Sequence, residues 1–469
     1  MGNQGLPLQP KLVPALDPGF RPAILAIQAF LTEVDASGQV TPLRIGLERN
    51  NGLISVYETR IFGAAAGMAE RNRFFVERLV KTLLWQKGGW RLVVGGAPEM
   101  GEYLKQIYAP GGLREFDAAF MSRVYEKPFT VESTAYDQVP PAREISQPIG
   151  RHLDGCRIGF DAGGSDRKVS AVMGGEVVYS EEVVWHPKLQ SDPEYHYREI
   201  LAAIQTAASH LPKVDAIGVS AAGIYINNRV MVASLFNKVP LDLFECKVKD
   251  IFLRIQAEMG GVPLEVVNDG DVTALAGAMD LGAVRVLGIA MGTSEAGGYI
   301  DGQGNITGCL NELAFIPVDF NPAATVDEWS GDFGCGVKYF SQDAVIKLAP
   351  AAGITLDEGL TPAEKLKVVQ ELMEKGDPGA ERLFESLGVY LGYSLAYYAE
   401  FYPIEQVLIL GRVTSGRGGG ILMQKARQVL ETEFPRLARK IHLHLPDESS
   451  RRVGQSIAAA SLPELGHGG

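Results

Sequence analysis

Cysteines, basic clusters and long apolar runs are all scarce in this chain. Four cysteines stand in 469 residues, Cys156, Cys246, Cys309 and Cys335, with no CxxC spacing among them. Reduced thiols in a cytoplasmic protein are the simplest account. No run approaches the roughly 18 apolar residues that a membrane span needs. The N-terminus, Met1 to Pro10, has neither a basic segment nor an apolar one, so it does not read as a signal peptide. It opens Met1-Gly2, but Leu6 stands where a myristoylation pattern needs Ser or Thr. Lys and Arg total 44 against 56 Asp and Glu, a net charge of −12. No Lys/Arg cluster occurs, which argues against nucleic acid and anionic membranes as partners. An anionic cosubstrate would need a local positive site or a metal.

Glycine is plentiful, and 46% of the residues are apolar. A chain of this length is expected to hold about two to four domains or subdomains. Residues 1–20 are Pro-rich and read as a strap or arm. Residues 22–62 read as two or three strands, with Asn50-Asn51-Gly52 as a tight turn. A helix over 66–86, a strand at 91–94 and a helix over 99–108 follow. Residues 136–150, with Pro140, Pro141 and Pro148, read as a linker. The pattern restarts with strands near 156–161, 168–173 and 176–182, then a helix, a strand at 216–220 and helical residues over 241–258. Strands at 264–267 and 286–290, three helices between 340 and 400, a strand at 407–410 and a helix from about 419 complete it. Strands alternate with helices throughout, which makes the fold class α/β. Residues 1–150, 151–285 and 286–469 are the expected divisions. The order of elements near 66–108 echoes that near 378–432, and 42–62 echoes 286–300. Residues 1–150 could therefore be a degenerate half-repeat.

Ile158-Gly159-Phe160-Asp161-Ala162-Gly163-Gly164-Ser165 is the most informative stretch. A strand runs into an acid, two glycines and a hydroxyl. Glycines let backbone N–H groups close on phosphoryl oxygens, and Asp161 offers a hard oxygen to Mg²⁺, usually through water. Taken alone, such a turn also suits an ordinary hairpin. Further on come Asn268-Asp269-Gly270-Asp271 after a strand, Gly292-Thr293-Ser294-Glu295-Ala296-Gly297-Gly298 after another, and Leu410-Gly411-Arg412 after a third.

These four segments, in this order, resemble the ROK family of sugar kinases and repressors, over about 156–460. The resemblance implies a two-lobed actin-like/ribonuclease H-like ATPase fold, here with an extra N-terminal α/β region. It implies ATP and Mg²⁺ as cofactors, with Gly163, Gly164, Ser165, Gly292, Thr293 and Ser294 on the phosphates. Gly411 and Arg412 would lie by the adenosine and Asp161 would position the metal. Asp269 would be the general base toward a sugar or polyol hydroxyl, with Asn268 and Glu312 binding that substrate. It also suggests a homodimer. Such chemistry rests on positioning and charge neutralisation.

Departures from the family pattern are equally plain. The segment that contacts sugar and supplies a zinc histidine reads Asn311-Glu312-Leu313-Ala314-Phe315 here, without the histidine. The zinc-cysteine segment reads Gly334-Cys335-Gly336-Val337-Lys338, with one cysteine and with Val337 where a sugar-binding Glu is expected. No zinc is expected, and glucose loses two contacts. Glu295 lies inside a phosphate turn, where an acid repels phosphate unless it points away or binds Mg²⁺. Asn-Asp after a strand is also a common helix N-cap, and Asp271 suits a first-turn acid. Lys168 reads as a solvated strand charge. His442 and His444 share one strand face, but two ligands do not make a zinc site. The alternatives to a kinase are a catalytically silent sugar- or nucleotide-binding sensor and a chaperone or filament ATPase. Residues 1–150 lack a basic recognition helix, against a DNA-binding repressor.

Overall fold

A computed structural model describes residues 9–144, 149–446 and 448–465 of the chain, backbone only over 448–453. The first eight residues and the Pro148 end of the linker lie outside the described residues. In the N-terminal region α1 (Ala23–Ala36), β1 (Val40–Glu48), β2 (Ile54–Phe62), α2 (Ala69–Lys87), β3 (Arg91–Gly95), α3 (Pro98–Tyr108), α4 (Glu115–Tyr125) and β4 (Thr130–Thr134) follow in order. The first of these corrects the strand reading of 22–36. Ile24, Ile27, Phe30 and Val34 are all buried and recur at helical spacing, which outweighs their β-branched and aromatic character. The Asn50–Gly52 turn does join a hairpin, with Asn51 left-handed at φ 59°. The Pro-rich strap runs along the third part of the chain, where Tyr390 Oη donates to Asp17 at 2.6 Å.

The middle of the chain contains β5 (Cys156–Ala162), β6 (Asp166–Met173), β7 (Glu176–Val184), α5 (Pro193–Ala208), β8 (Ala216–Ala221), β9 (Ile224–Ile226), β10 (Arg229–Val232), α6 (Leu241–Leu243), α7 (Ile251–Glu258) and β11 (Leu264–Asn268). The last part contains α8 (Asp269–Asp280), β12 (Val286–Met291), β13 (Glu295–Ile300), α9 (Gln342–Leu348), α10 (Pro362–Glu374), α11 (Pro378–Tyr398), β14 (Gln406–Leu410), α12 (Arg417–Glu433), α13 (Pro435–Ala438), β15 (His442–His444) and α14 (Glu448–Ala460).

Three main sheets result, ordered β2-β1-β3-β4, β11-β8-β5-β6-β7 and β13-β12-β14-β15. The second and third are the two lobes of an actin-like ATPase fold: an antiparallel hairpin or meander whose first strand pairs in parallel with a later one, β5 with β8 and β12 with β14. The N-terminal sheet copies the strand order of the third, but β3 runs antiparallel to β1. The echo read in the sequence therefore covers order and not direction.

Two helices exchange partners between the lobes. α8, which follows the middle sheet, packs on β12 and β13, while α14 at the chain's end packs back on β5 and β8. α14 lies so close that a Cβ on Gly218 would stand 1.7 Å from Ala459 O, so that crossing admits only glycine. The N-terminal region is not an appendage. Its buried residues and those around the third sheet form one continuous apolar core, and the middle sheet has its own. Among the described residues, no helix is long and apolar enough to cross a membrane.

Candidate active site

The site begins at the C-terminal end of β5. Asp161 is buried, and Ser220, its register partner on β8, donates to it at 2.9 Å. Burial pushes its carboxyl up to about 6 against the pull of that hydrogen bond. Lys168 stands opposite on β6, half-buried, with its Nζ 3.8 Å from Asp166. Gly163–Ser165 form the turn into β6, and Gly164 and Ser165 are exposed. Trp185 staples this turn from behind: its indole Nε1 donates to Gly163 O at 2.8 Å and its backbone N–H to Ser165 O at 3.1 Å.

Three residues past Trp185, Lys188 arrives over the same turn. Its Nζ lies 3.0 Å from the point a Cβ would occupy on Gly164. Buried His196 fixes this arm from below, with Nε2 donating to Pro187 O at 3.0 Å and Leu235 O at 3.1 Å. Lys188 is exposed, and its charge acts on Asp269. Nothing local in the sequence marked it.

Asn268 ends β11 and caps α8, accepting from Gly270 N at 2.7 Å while Nδ2 donates to Gly223 O at 2.7 Å. A second lone pair and a second amide hydrogen are left for a ligand. Asp269 begins the helix, half-buried. Burial raises its carboxyl above the ordinary range, while nearby backbone N–H groups and Lys188 pull it down. Asp271 is an acid of the first turn of α8, as expected. It is buried and accepts from Tyr299 N at 3.1 Å and Asn311 Nδ2 at 2.9 Å, tying α8 to β13. Gly270 permits that contact, since a Cβ there would meet Gly297 O at 2.3 Å. The Asn268–Asp271 segment is thereby pressed against the second Gly-rich motif.

In that motif Thr293 and Ser294 are exposed at the β12–β13 turn, and Gln342 N donates to Gly292 O at 2.9 Å. Gly411, at φ 100°, sits hard against the same strand end: a Cβ there would be 2.2 Å from Met291 O. Arg412 follows, exposed, beginning a short 3₁₀ turn. Glu295 does not face the turn. It is the buried first residue of β13, accepting from Tyr398 Oη at 3.4 Å and reaching toward Gly336. Burial, reinforced by Glu312, pushes it to about 8. Glu312 is half-buried and is pushed to about 7 by burial and by Asp269 and Asp271. The region thus gathers Asp161, Asp269, Asp271, Glu295 and Glu312, all raised first by burial, and all but Asp269 also by a neighbouring acid.

Phe315, at the family's histidine position, stacks on Trp85 of α2 with ring centroids 4.1 Å apart. Asn311 and Glu312 donate their backbone N–H groups to the last carbonyls of that helix, Gln86 O and Trp85 O, at 3.0 and 3.1 Å. Cys335 is buried beside an ion network shared with the N-terminal region. Asp332 accepts from Arg78 and Arg114 at 2.9 Å each and lies 2.8 Å from Lys81 Nζ, and Glu77 and Asp117 complete three anions against three cations. His442 and His444 lie on edge strand β15, where His444 pairs with Gln406 at 2.7 Å. Among the described residues no group of three His, Cys, Asp or Glu could hold a metal ion.

A buried hard oxygen on Asp161, two open turns and the Lys188 cation over the first of them fit a phosphate chain with a hydrated Mg²⁺, whose charge would offset the carboxylates. In comparisons with known proteins, the ROK family pattern matches residues 157–449, well over half of the chain. The ROK hexokinase from Thermus thermophilus superposes with a TM-score of 0.51 at 20% identity, covering 65% of this chain and 97% of that one. A ROK family transcriptional regulator, a homologue of the E. coli MLC protein, gives 0.53 at 19%, covering 66% and 79%. No curated protein matches.

Proposed function

The chain belongs to the ROK family, and on that premise we propose that it is an ATP-dependent kinase that phosphorylates a hydroxyl of a sugar or polyol. The carrying observation is the placement of Asp269, which begins α8 where Gly270 meets Gly297 of the second turn and where the charge of Lys188 reaches from the first. In this reading Asp269 accepts the proton of the acceptor hydroxyl as its oxygen attacks the γ-phosphorus and the bond to ADP breaks. A base held above the ordinary carboxylate range suits proton transfer near neutrality. Asn268 and Glu312 hold neighbouring hydroxyls. Gly163, Gly164, Ser165, Gly292, Thr293 and Ser294 receive the phosphates, and Gly411 and Arg412 the adenosine. Asp161 would hold Mg²⁺ through water; when bound, the ion supplies charge neutralisation on the phosphate oxygens.

Glu295 supports the catalytic reading over a silent scaffold. It carries the one acid in the second turn, and it is directed toward Tyr398 and Gly336, away from the exposed Thr293 and Ser294. The N-terminal region supports it as well, because its helices contribute to the same core as the third sheet and back the 311–315 segment. The test is ADP release from Mg-ATP across hexoses, amino sugars, inositols and other polyols, beside Asp269→Asn. Turnover with an acceptor, lost in the variant, is expected. Bound nucleotide without ADP release from any acceptor would favour the silent sugar- or nucleotide-binding sensor.

A further inference from the structure

Beside the candidate site, a cavity of about 430 Å³ opens between all three parts of the chain. Arg49 and Asn51 of the N-terminal hairpin form one wall, Asn227 and Glu265 a second, and Thr307 a third. It reaches Asn268, but neither Asp269 nor either phosphate turn lines it. Its end at Asn268 and Asp271 joins the proposed acceptor site, and the rest of its lining lies outside the proposed site residues.

The lining mixes apolar residues such as Ile149, Ile224 and Leu310 with polar ones. Among the described residues, Arg49 Nε and Thr307 Oγ1 are buried and find no hydrogen-bond partner. Arg49 is held rigid, its NH1 donating to Gly308 O at 3.1 Å. The carboxyl of Glu265 is half-buried, and burial pushes it up to about 7. Asn227 and Asn228, left-handed at φ 52° and 61°, make the two-residue turn between β9 and β10 that brings this edge to the cavity. An unpartnered donor on Arg49 and an unpartnered hydroxyl on Thr307, with the Glu265 carboxyl that Asn228 holds, match the hydroxyl groups of a ligand. In size, pockets of roughly 300–1,000 Å³ enclose ligands larger than one hexose with its dozen or so heavy atoms.

We propose that this cavity is a distal acceptor subsite, and that the acceptor is a sugar of disaccharide size whose non-reacting ring lies against Arg49, Glu265 and Thr307. The proposal rests on the kinase reading above and names its substrate class. It gives the N-terminal region a function: without Arg49 and Asn51 the recess would have no outer wall. Binding a non-reacting ring there would orient the reacting ring at Asp269.

The test separates this inference from the reading it rests on. Calorimetry on Asp269→Asn with a non-hydrolysable ATP analogue measures binding without turnover. Glucose, mannose and N-acetylglucosamine are compared with maltose, cellobiose, lactose and gentiobiose. ADP release by the unaltered chain is measured with the same compounds. A disaccharide is expected to bind about tenfold or more tightly than its constituent monosaccharide, from one or two added hydrogen bonds. Thr307→Trp, narrowing the cavity, should abolish that difference. Glu265→Gln, which keeps the shape should Thr307→Trp fail to fold, should reduce it several-fold. Equal binding of both sizes, or a difference that survives both substitutions, would overturn the subsite while ADP release kept the kinase. Bound nucleotide with no sugar bound and no ADP released would overturn both.

Discussion

Lys188 lies across Gly164, its Nζ 3.0 Å from where a Cβ would stand. A cation is thereby set beside a turn whose backbone is free to meet phosphate, and within electrostatic reach of Asp269. The backbone that carries it is fixed at Trp185 and, through His196, at Pro187, so the fold sets where this exposed side chain starts. In a region that gathers five carboxylates, this charge has the most to do when phosphate arrives.

Lys188→Met should lower kcat by about 100-fold or more, the loss typical of removing one transition-state charge partner. Lys188→Arg should restore part of it. The pH–rate profile gives a readout that misfolding would not: Lys188 holds Asp269 down, so its loss should move the acid limb to higher pH. A variant with unchanged kcat and an unmoved acid limb would remove Lys188 from the site.

Asp332→Asn tests whether the N-terminal region is fastened to the rest of the chain by its buried ions. Asp332 contacts three cations from α2 and the start of α4. Removing one charge from a balanced buried set leaves a cation uncompensated, at a cost of about 3–5 kcal/mol. Urea unfolding should show that loss, and a change under about 1 kcal/mol would contradict the network.

Glu295→Gln should change stability in a pH-dependent way. The folded chain keeps a proton on Glu295 up to about pH 8, while the unfolded chain releases it in the ordinary carboxylate range. Between those values the folded state therefore loses stability as pH rises. Glutamine titrates no such proton. The stability of the variant relative to the unaltered chain should thus rise by about 1–3 kcal/mol from about pH 5 to pH 8. A difference that stays flat with pH in thermal unfolding would place the carboxylate in water.

Much of the candidate site was legible in the sequence because its proposed chemistry is packed into short segments. Asp161 with Gly163–Ser165, Asn268 with Asp269, and Gly292–Ser294 each sit on one strand end, where motif and turn coincide. Lys188 could not be read that way. It reaches Gly164 through contacts of Trp185 and His196 that only the folded chain supplies. The same holds for Asp332, whose partners Arg78, Lys81 and Arg114 lie more than two hundred residues away in sequence. Glu295 was ambiguous for a different reason: the sequence places it in the turn, and only the alternation of β13 directs its side chain to Tyr398. In the fold, α1 was misread as strand because its buried stripe is β-branched and aromatic, and α14 over the middle sheet follows from topology, not local pattern.

The kinase reading meets its most direct test in the mass of the acceptor after incubation with Mg-ATP. One added phosphoryl group on a sugar or polyol, formed by the unaltered chain and absent with Asp269→Asn, is the predicted result. An acceptor phosphorylated equally well by Asp269→Asn, or ATP consumed with the phosphate passed only to water, would contradict it.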